Sequence, residues 1–223
     1  IRGCIPSKAI IHVASEFETM RHAAAKTTHG LKLASAPTID FAETVKWKEG
    51  IVNRLNTGVA GLLKRAKVRV VNGWAKFSDG KMCSVDAATG PVTITAEHVI
   101  LANGSLPVRL PSIPFGGPVI SSTEALALDA VPKKLVVVGA GYIGLELGIA
   151  FAKLGSEVTV VEAEKQILPL YDADLVAPVK RWLDKNGVTI HLGAKAKAAE
   201  TGKKGTSLIV EGADGKTFEL PAD

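Results

Sequence analysis

The sequence has few cysteines and no long apolar segment, and both absences exclude whole classes of protein. Its 223 residues include two cysteines, Cys4 and Cys83. Two are too few for a disulfide framework in a chain of this length, which indicates a reducing compartment. No apolar run approaches the roughly 18 residues needed to cross a bilayer. We therefore expect neither a membrane protein nor a disulfide-rich secreted domain.

Aromatic residues are also scarce, which bears on nucleic-acid binding. They make up 5% of a chain whose net charge is +5. A nucleic-acid-binding protein usually concentrates positive charge on one face and interleaves it with aromatic side chains. The basic residues here are scattered along the sequence, as on an ordinary solvated surface. We expect no nucleic-acid partner, and an apolar fraction of 47% predicts a globular chain of one or two domains.

The first half of the chain predicts two helices and then a small sheet. Pro6 suits the first turn of a helix over residues 6–25, and Asp40 suits the N-cap of a helix over 40–66. Alternating and apolar stretches that follow predict a β-meander that ends in a buried strand at 99–102. Four prolines and two glycines in residues 106–118 indicate a connection between domains.

The second half predicts alternating strands and helices around a glycine-rich turn. An apolar strand at 135–138 precedes the turn and a helix, and a second strand, VTVV, leads to Glu162. This strand–helix–strand order is typical of a dinucleotide-binding fold. A helix near 173–186, a strand at 188–191 and a hairpin over 207–220, turning at Asp214 and Gly215, are expected to follow.

Gly139, Gly141 and Gly144 form the pattern G-x-G-x-x-G in that turn. The first glycine permits a tight turn, the second lets the backbone approach a pyrophosphate, and the third lets the helix pack closely on the strand. Backbone N–H groups at the helix start would bind the pyrophosphate. Glu162 is placed to accept hydrogen bonds from the adenosine ribose and to repel a 2′-phosphate. The stretch predicts a site for NAD(H) rather than NADP(H).

Cys4 lies just before a predicted helix. This position favours a reactive cysteine over one that only packs in the core. The positive end of the helix dipole favours a negatively charged sulfur, and Lys8 adds a positive charge four residues later. A thiolate and a hydride carrier in one protein indicate disulfide redox chemistry. Cys83, on a predicted strand, is interpreted as a small buried hydrophobic residue.

Four segments carry a resemblance to a known family: GCIPSKA at 3–9, ANGS at 102–105, GAGYIGLE at 139–146 and VTVVEAEKQILP at 158–169. In this order they resemble the flavoprotein disulfide reductases and, within that family, the dihydrolipoamide dehydrogenases. The resemblance covers essentially the whole chain. Relatives that use glutathione tend to carry GCVPKK and a basic NADP pocket, which Ser7 and Glu162 argue against.

The resemblance implies an α/β fold with two Rossmann-like dinucleotide-binding domains, each with a parallel sheet and a β-meander and each incomplete. Residues 1–113 would be the later part of the FAD-binding domain, without its own G-x-G-x-x-G, and residues 114–223 a truncated NAD-binding domain. The family's redox motif, C-x4-C, would put its first cysteine two residues before Ile1. We therefore expect an internal piece of a longer enzyme, inactive alone and lacking the family's C-terminal interface domain.

The resemblance also implies roles for individual residues. Cys4 would pass electrons to the flavin, Lys8 would lie near flavin N5 and pair with Glu146, and no metal site is expected. The residues expected to bind the cofactors FAD and NAD are Lys8, Ala75, Asn103, Gly104, Ser105, Gly139, Ala140, Gly141, Tyr142, Ile143, Gly144, Leu145, Glu146, Glu162 and Ala196.

These binding residues divide between the two cofactors. Ala75 and residues 103–105 would contact FAD, although Asn103 stands where the family usually has threonine. Tyr142 and Ile143 would border the nicotinamide pocket, and Ala196 would contact the NAD adenine. From the sequence alone, Ala75 and Ala196 equally fit small residues on ordinary strands.

The resemblance finally implies a reaction and its partners. The intact enzyme would oxidise dihydrolipoyl groups with NAD⁺, serving the lipoyl domain of a 2-oxoacid dehydrogenase complex or the glycine cleavage system. A homodimer in the bacterial cytoplasm or the mitochondrial matrix is expected. Two alternatives stay open: another flavin-dependent thiol-disulfide or mercuric reductase, and a module that binds NAD without redox chemistry.

Overall fold

A computed structural model describes residues 2–25, 30–202 and 205–223. Contacts divide the chain into two units, of which unit 1 comprises Ile1–Val52 and Pro107–Asp223, and unit 2 comprises Asn53–Leu106. This division rests on packing and differs from the two cofactor domains expected from the sequence. The boundary between residues 113 and 114 stays a prediction.

Two long helices open the chain, as predicted. Helix α1 spans Cys4–Ala25 and has Pro6 in its first turn. Helix α2 spans Phe41–Arg65. Asp40 caps α2, because its Oδ1 accepts the backbone N–H of Glu43 at 3.0 Å, a contact typically worth about 1 kcal/mol.

Unit 2 contains the predicted meander, an antiparallel sheet in the order β1–β2–β3. Its strands are β1 (Gly73–Phe77), β2 (Met82–Ala87) and β3 (Gly90–Thr95). Val85 is the only buried residue of this fully described unit. The predicted buried strand at 99–102 is wrong: the stretch forms no strand, and Ile100 is 92% exposed. None of the described strands pairs with it, and Leu101 is 71% exposed.

Unit 1 contains a parallel sheet in the order β4–β5–β6. After a one-turn helix, α3 (Ser122–Ala125), come β4 (Lys134–Val138), α4 (Tyr142–Leu154), β5 (Glu157–Glu162), α5 (Ala173–Lys185) and β6 (Thr189–Leu192). The β-branched residues of β4 and β5 favour strands, and α4 covers them with Leu147 and Phe151. The core also includes Ile10 of α1.

A second sheet of unit 1 is antiparallel, with β7 (Lys195–Gly202), β8 (Gly205–Glu211) and β9 (Thr217–Ala222) in that order. The predicted hairpin and its turn are confirmed, with Gly215 at φ 77°. A strand at Ala196 was one interpretation of that residue, but the bounds of β7 were not predicted, because its sequence KAKAAETG is poor in strand-forming residues. Over the three described ranges, no helix is long and apolar enough to cross a membrane.

Candidate functional site

The glycine turn joins β4 to α4 and depends on two close approaches of the backbone. Gly139 adopts φ 99°, a conformation that side chains disfavour, and its N–H donates to the carbonyl of Val161 at 2.8 Å. A Cβ atom on Gly144 would overlap the Gly139 carbonyl oxygen and lie 3.1 Å from Cγ1 of Val137. A Cβ atom on Gly141 would meet no atom within 4 Å. The turn is therefore tight beneath Gly144 and open above Gly141.

The start of α4 offers hydrogen-bond donors to a ligand. The first N–H groups of a helix have no carbonyl partner within the helix. The N-cap Gly141 provides no side chain to cap them. Tyr142 and Ile143, the first two residues of the helix, are 59% and 44% exposed. This geometry suits a pyrophosphate, which the positive end of the helix dipole would also attract.

Glu162 lies at the end of β5 and is hydrogen-bonded to the glycine turn itself. Its carboxylate accepts the N–H of Ala140 at 2.6 Å and the N–H of Glu164 at 2.8 Å. The carbonyl of Ala140 in turn accepts the N–H of Leu168 at 2.9 Å. Glu162 is only 8% exposed. Since a carboxylate has about four acceptor positions, two remain for a ligand.

The predicted ion pair between Lys8 and Glu146 is present. The Lys8 ammonium lies 2.7 and 2.8 Å from the two carboxylate oxygens of Glu146. The two side chains are 60% and 39% exposed, so the contribution of the pair to stability is about 0–1 kcal/mol. It joins the second turn of α1 to the second turn of α4. Cys4, the first residue of α1, is an exposed free thiol.

A second link between the same two helices was not predicted. The ammonium of Lys153, near the end of α4, lies 2.9 Å from the carboxylate of Glu18 and 3.2 Å from the hydroxyl of Ser15. A signal did exist in the sequence: Lys153 follows Glu146 by seven residues, as Ser15 follows Lys8. Residues seven apart lie on one helix face.

The other expected binding residues are Ala196, in unit 1, and four residues of unit 2. Ala196 lies on β7, and its carbonyl accepts the Ser112 hydroxyl at 3.2 Å. In unit 2, Ala75 is an exposed residue of β1, and Asn103, Gly104 and Ser105 are exposed outside any strand or helix. The side chain of Asn103 donates to the Gly104 carbonyl at 3.2 Å. The FAD contacts of these residues stay predictions.

Metal ligands are a separate question. Within residues 2–25, 30–202 and 205–223, no three His, Cys, Asp or Glu side chains come close enough together to hold a metal ion. The pKa is lowered at Glu124, at Glu211 and at Asp223. For Glu124 the main cause is the hydrogen bond from the Ser121 side chain, which lowers the pKa.

All of residues 1–223 match the family model described as pyridine nucleotide-disulphide oxidoreductase. The chain belongs to this family. The resemblance seen in the sequence motifs is thereby confirmed. A curated member, the dihydrolipoyl dehydrogenase of Pseudomonas aeruginosa, is 55% identical over 192 residues, covering 86% of this chain and 41% of the relative.

Two solved structures share the fold. LpdA from Mycobacterium tuberculosis matches with a TM-score of 0.80 and 25% identity over 97% of this chain and 47% of its own. The HOCl-induced flavoprotein disulfide reductase RclA from Escherichia coli matches with a TM-score of 0.69 and 26% identity, over 100% and 45%. The predicted α/β class with parallel and antiparallel sheets is confirmed. The chain spans less than half the length of each of these relatives.

Proposed function

We propose that the protein containing this chain is an FAD- and NAD-dependent oxidoreductase that acts on dihydrolipoyl groups. The reaction is dihydrolipoyl plus NAD⁺ giving lipoyl, NADH and a proton. The observation that carries the proposal is the Lys8–Glu146 ion pair, which joins the helix that begins at Cys4 to the helix that begins at the glycine turn. The name of the P. aeruginosa relative supports the choice of substrate.

The glycine turn and Glu162 would bind NAD. The free N–H groups at the start of α4 would hold the pyrophosphate, and the open space above Gly141 would let it approach. The two unused acceptor positions of Glu162 would receive the ribose hydroxyls. No arginine occurs between Leu135 and Leu170, so a 2′-phosphate would face a carboxylate without a guanidinium partner. We expect NAD to bind more tightly than NADP.

Cys4 would be one member of the redox-active thiol pair, and its exposure makes its sulfur accessible. Lys8, Ala75 and residues 103–105 would help to hold FAD, for which the left-handed φ of 74° at Gly104 provides a turn without a Cβ atom. The flavin, when bound, supplies two-electron transfer between a thiol pair and the nicotinamide. Lys8, held by Glu146, would keep a positive charge near the flavin. Tyr142 and Ile143 would border the nicotinamide.

The physiological substrate would be the lipoyl domain of a 2-oxoacid dehydrogenase complex or of the glycine cleavage system. We propose a homodimer, in the cytoplasm of a bacterium or in the mitochondrial matrix. Light scattering on the full-length protein tests the dimer. Comparison of a reduced lipoyl domain with free dihydrolipoamide, at equal concentration, tests the carrier: the domain should give the higher kcat/KM.

The experiment that tests the function follows NADH absorbance when the full-length protein is mixed with dihydrolipoamide and NAD⁺. We expect turnover, its loss in Cys4→Ser, and its persistence in Cys83→Ser. Turnover of mercuric ion or of a small disulfide with NAD(P)H, but not of dihydrolipoamide, would favour the other reductases. Binding of NADH with no turnover of any of these substrates would leave only the NAD-binding module.

A further inference from the structure

Helices α1 and α4 lie side by side, in the same direction and in a fixed register. Lys8 contacts Glu146 and Ser15 contacts Lys153, and both contacts join residues 138 positions apart in sequence. Seven residues of helix separate the two links on each side, or about 10 Å. The start of α1, with Cys4, is therefore held at the start of α4.

The two ion pairs between these helices have opposite polarity, because the base belongs to α1 in one pair and to α4 in the other. Near the helix starts the base, Lys8, is on α1 and the acid, Glu146, is on α4, whereas further along Glu18 of α1 meets Lys153 of α4. A shift of α1 by one turn, about four residues, would bring Lys8 beside Tyr142 or Ala150, neither of which is acidic. This arrangement of charges therefore favours one register over its neighbours.

The link at Lys153 is the better protected of the two. The side chains of Lys153 and Glu18 are 18% and 20% exposed, against 60% and 39% for Lys8 and Glu146. The Lys153 ammonium also lies 5.6 Å from the ring centre of Trp182. The backbone carbonyl of Lys153 accepts a hydrogen bond from the Arg21 guanidinium at 3.3 Å. Solvent screens a half-buried pair less than an exposed one, so the Lys153 link should hold the register more firmly.

We propose that Lys153, together with Glu18, is a positioning residue for the redox reaction. The pair fixes the register of α1 on α4 and thereby holds Cys4 and Lys8 beside the glycine turn. This inference rests on the proposed function, since it assigns a task to the thiol and to Lys8. Lys153 itself touches neither the thiol nor the turn.

The first test compares steady-state kinetics of Lys153→Met and Lys153→Arg in the full-length protein. Misplacement of reacting groups by about 1 Å can cost up to a hundredfold in rate, so we expect kcat to fall roughly tenfold in Lys153→Met. KM for NAD should stay unchanged, because contacts within unit 1 between β4 and β5, such as Gly139 N–H to Val161, hold the glycine turn. Lys153→Arg keeps the charge and should recover most of kcat.

The matched control is Lys180→Met on α5. It removes an ion pair of similar length, with Asp184 at 2.8 Å, that lies within one helix. Its kcat should equal that of the wild type. If Lys153→Met does not fold, Glu18→Gln removes the other partner and carries the same expectations.

The second test measures alkylation of Cys4 by iodoacetamide in the reduced full-length protein at pH 7, with Cys83 as internal reference. When α1 loses its register, the Lys8 ammonium leaves Glu146 and can approach the thiol. Because a nearby cation favours the reactive thiolate, alkylation of Cys4 should quicken about threefold while that of Cys83 stays constant. This readout needs no substrate.

The outcomes separate the two proposals. A wild-type protein that does not oxidise dihydrolipoamide would refute the function, and alkylation alone would then decide the positioning role. Unchanged kcat and unchanged Cys4 alkylation in both Lys153→Met and Glu18→Gln would overturn that role. Equal acceleration at Cys4 and Cys83 would indicate general loosening and would overturn it too, as would a failure of Lys153→Arg to recover kcat.

Discussion

Substitution of alanine at three glycines of unit 1, Gly144, Gly141 and Gly50, would place a methyl group in three different surroundings. Comparison of the three variants therefore distinguishes a role in packing from a role in ligand binding. In Gly144→Ala the new Cβ atom would overlap the carbonyl oxygen of Gly139 and press on Val137 at 3.1 Å. Both neighbours are fixed, because one is backbone and the other belongs to β4. In Gly141→Ala and Gly50→Ala the new atom would meet nothing within 4 Å.

The magnitudes follow from these distances. Overpacking of a tight site costs about 1–3 kcal/mol. At about 2–4 °C per kcal/mol for 150–250 residues, Gly144→Ala should lower the unfolding midpoint by roughly 2–12 °C. Gly50→Ala, inside α2, should raise stability by about 0.5–1 kcal/mol. Gly141→Ala should leave the midpoint unchanged, since φ at this position is −73° and suits alanine.

The affinity for NADH should rank the same variants in a different order from their stability. The Gly141 methyl would stand where a pyrophosphate approaches the helix start, so Gly141→Ala should weaken NADH binding at least about tenfold, or 1.4 kcal/mol. Calorimetric unfolding and NADH titration of the full-length protein give the two quantities, with Gly50→Ala as the control for both. A stable Gly144→Ala protein would refute the packing argument. Unaltered NADH affinity in Gly141→Ala would show that the dinucleotide does not bind at this turn.

Three further predictions concern charged residues. Ala163→Arg, next to Glu162, should narrow the preference for NADH over NADPH about tenfold by offering a 2′-phosphate a cation, as paired titrations would measure; an unchanged ratio would contradict it. Lys8→Met should lower kcat while changing the free energy of unfolding by less than about 1 kcal/mol, because the ion pair is exposed; a large loss of stability would show a structural role instead. Hydrogen bonds from the backbone N–H of Lys134, the larger cause, and of Lys133 lower the pKa of Asp223. This carboxylate therefore stabilises the fold above its unfolded pKa of about 3.9. The stabilisation is lost as the pH falls through the lower pKa of the folded state. Unfolding midpoints between about pH 6 and pH 3 should therefore fall more steeply in the wild type than in Asp223→Asn, and parallel curves would refute this.

The sequence predicted best those features that depend on local backbone geometry. The glycine turn and the cap at Asp40 require particular residues at fixed spacings, so their patterns are specific. The bounds of strand β7 were not predicted, because its pairing with β8 overrides a weak propensity. The strand at 99–102 was wrongly predicted because apolar character cannot show whether a neighbouring strand is present to pair with it.

Contacts between distant segments were predicted less completely. The Lys8–Glu146 pair came from the family resemblance, since no local pattern connects residues 138 positions apart. Lys153 was missed, although it lies on the same face of α4 as Glu146. The pairing of α1 with α4 can be predicted only by comparing the charges along the facing sides of both helices.

Glu162 shows why cofactor preference and turn geometry are not independent in this chain. The carboxylate that should exclude a 2′-phosphate also accepts the N–H of Ala140, inside the turn that should bind the pyrophosphate. Removal of the carboxylate would leave a buried N–H without its partner, at about 1–3 kcal/mol, and this loss would weaken NAD and NADP alike. The ratio of the two affinities cancels the shared loss, so it measures what Glu162 does at the 2′ position, where the carboxylate would accept from the hydroxyl of NAD and repel the phosphate of NADP. The affinity for NAD alone does not separate these effects from the loss at Ala140.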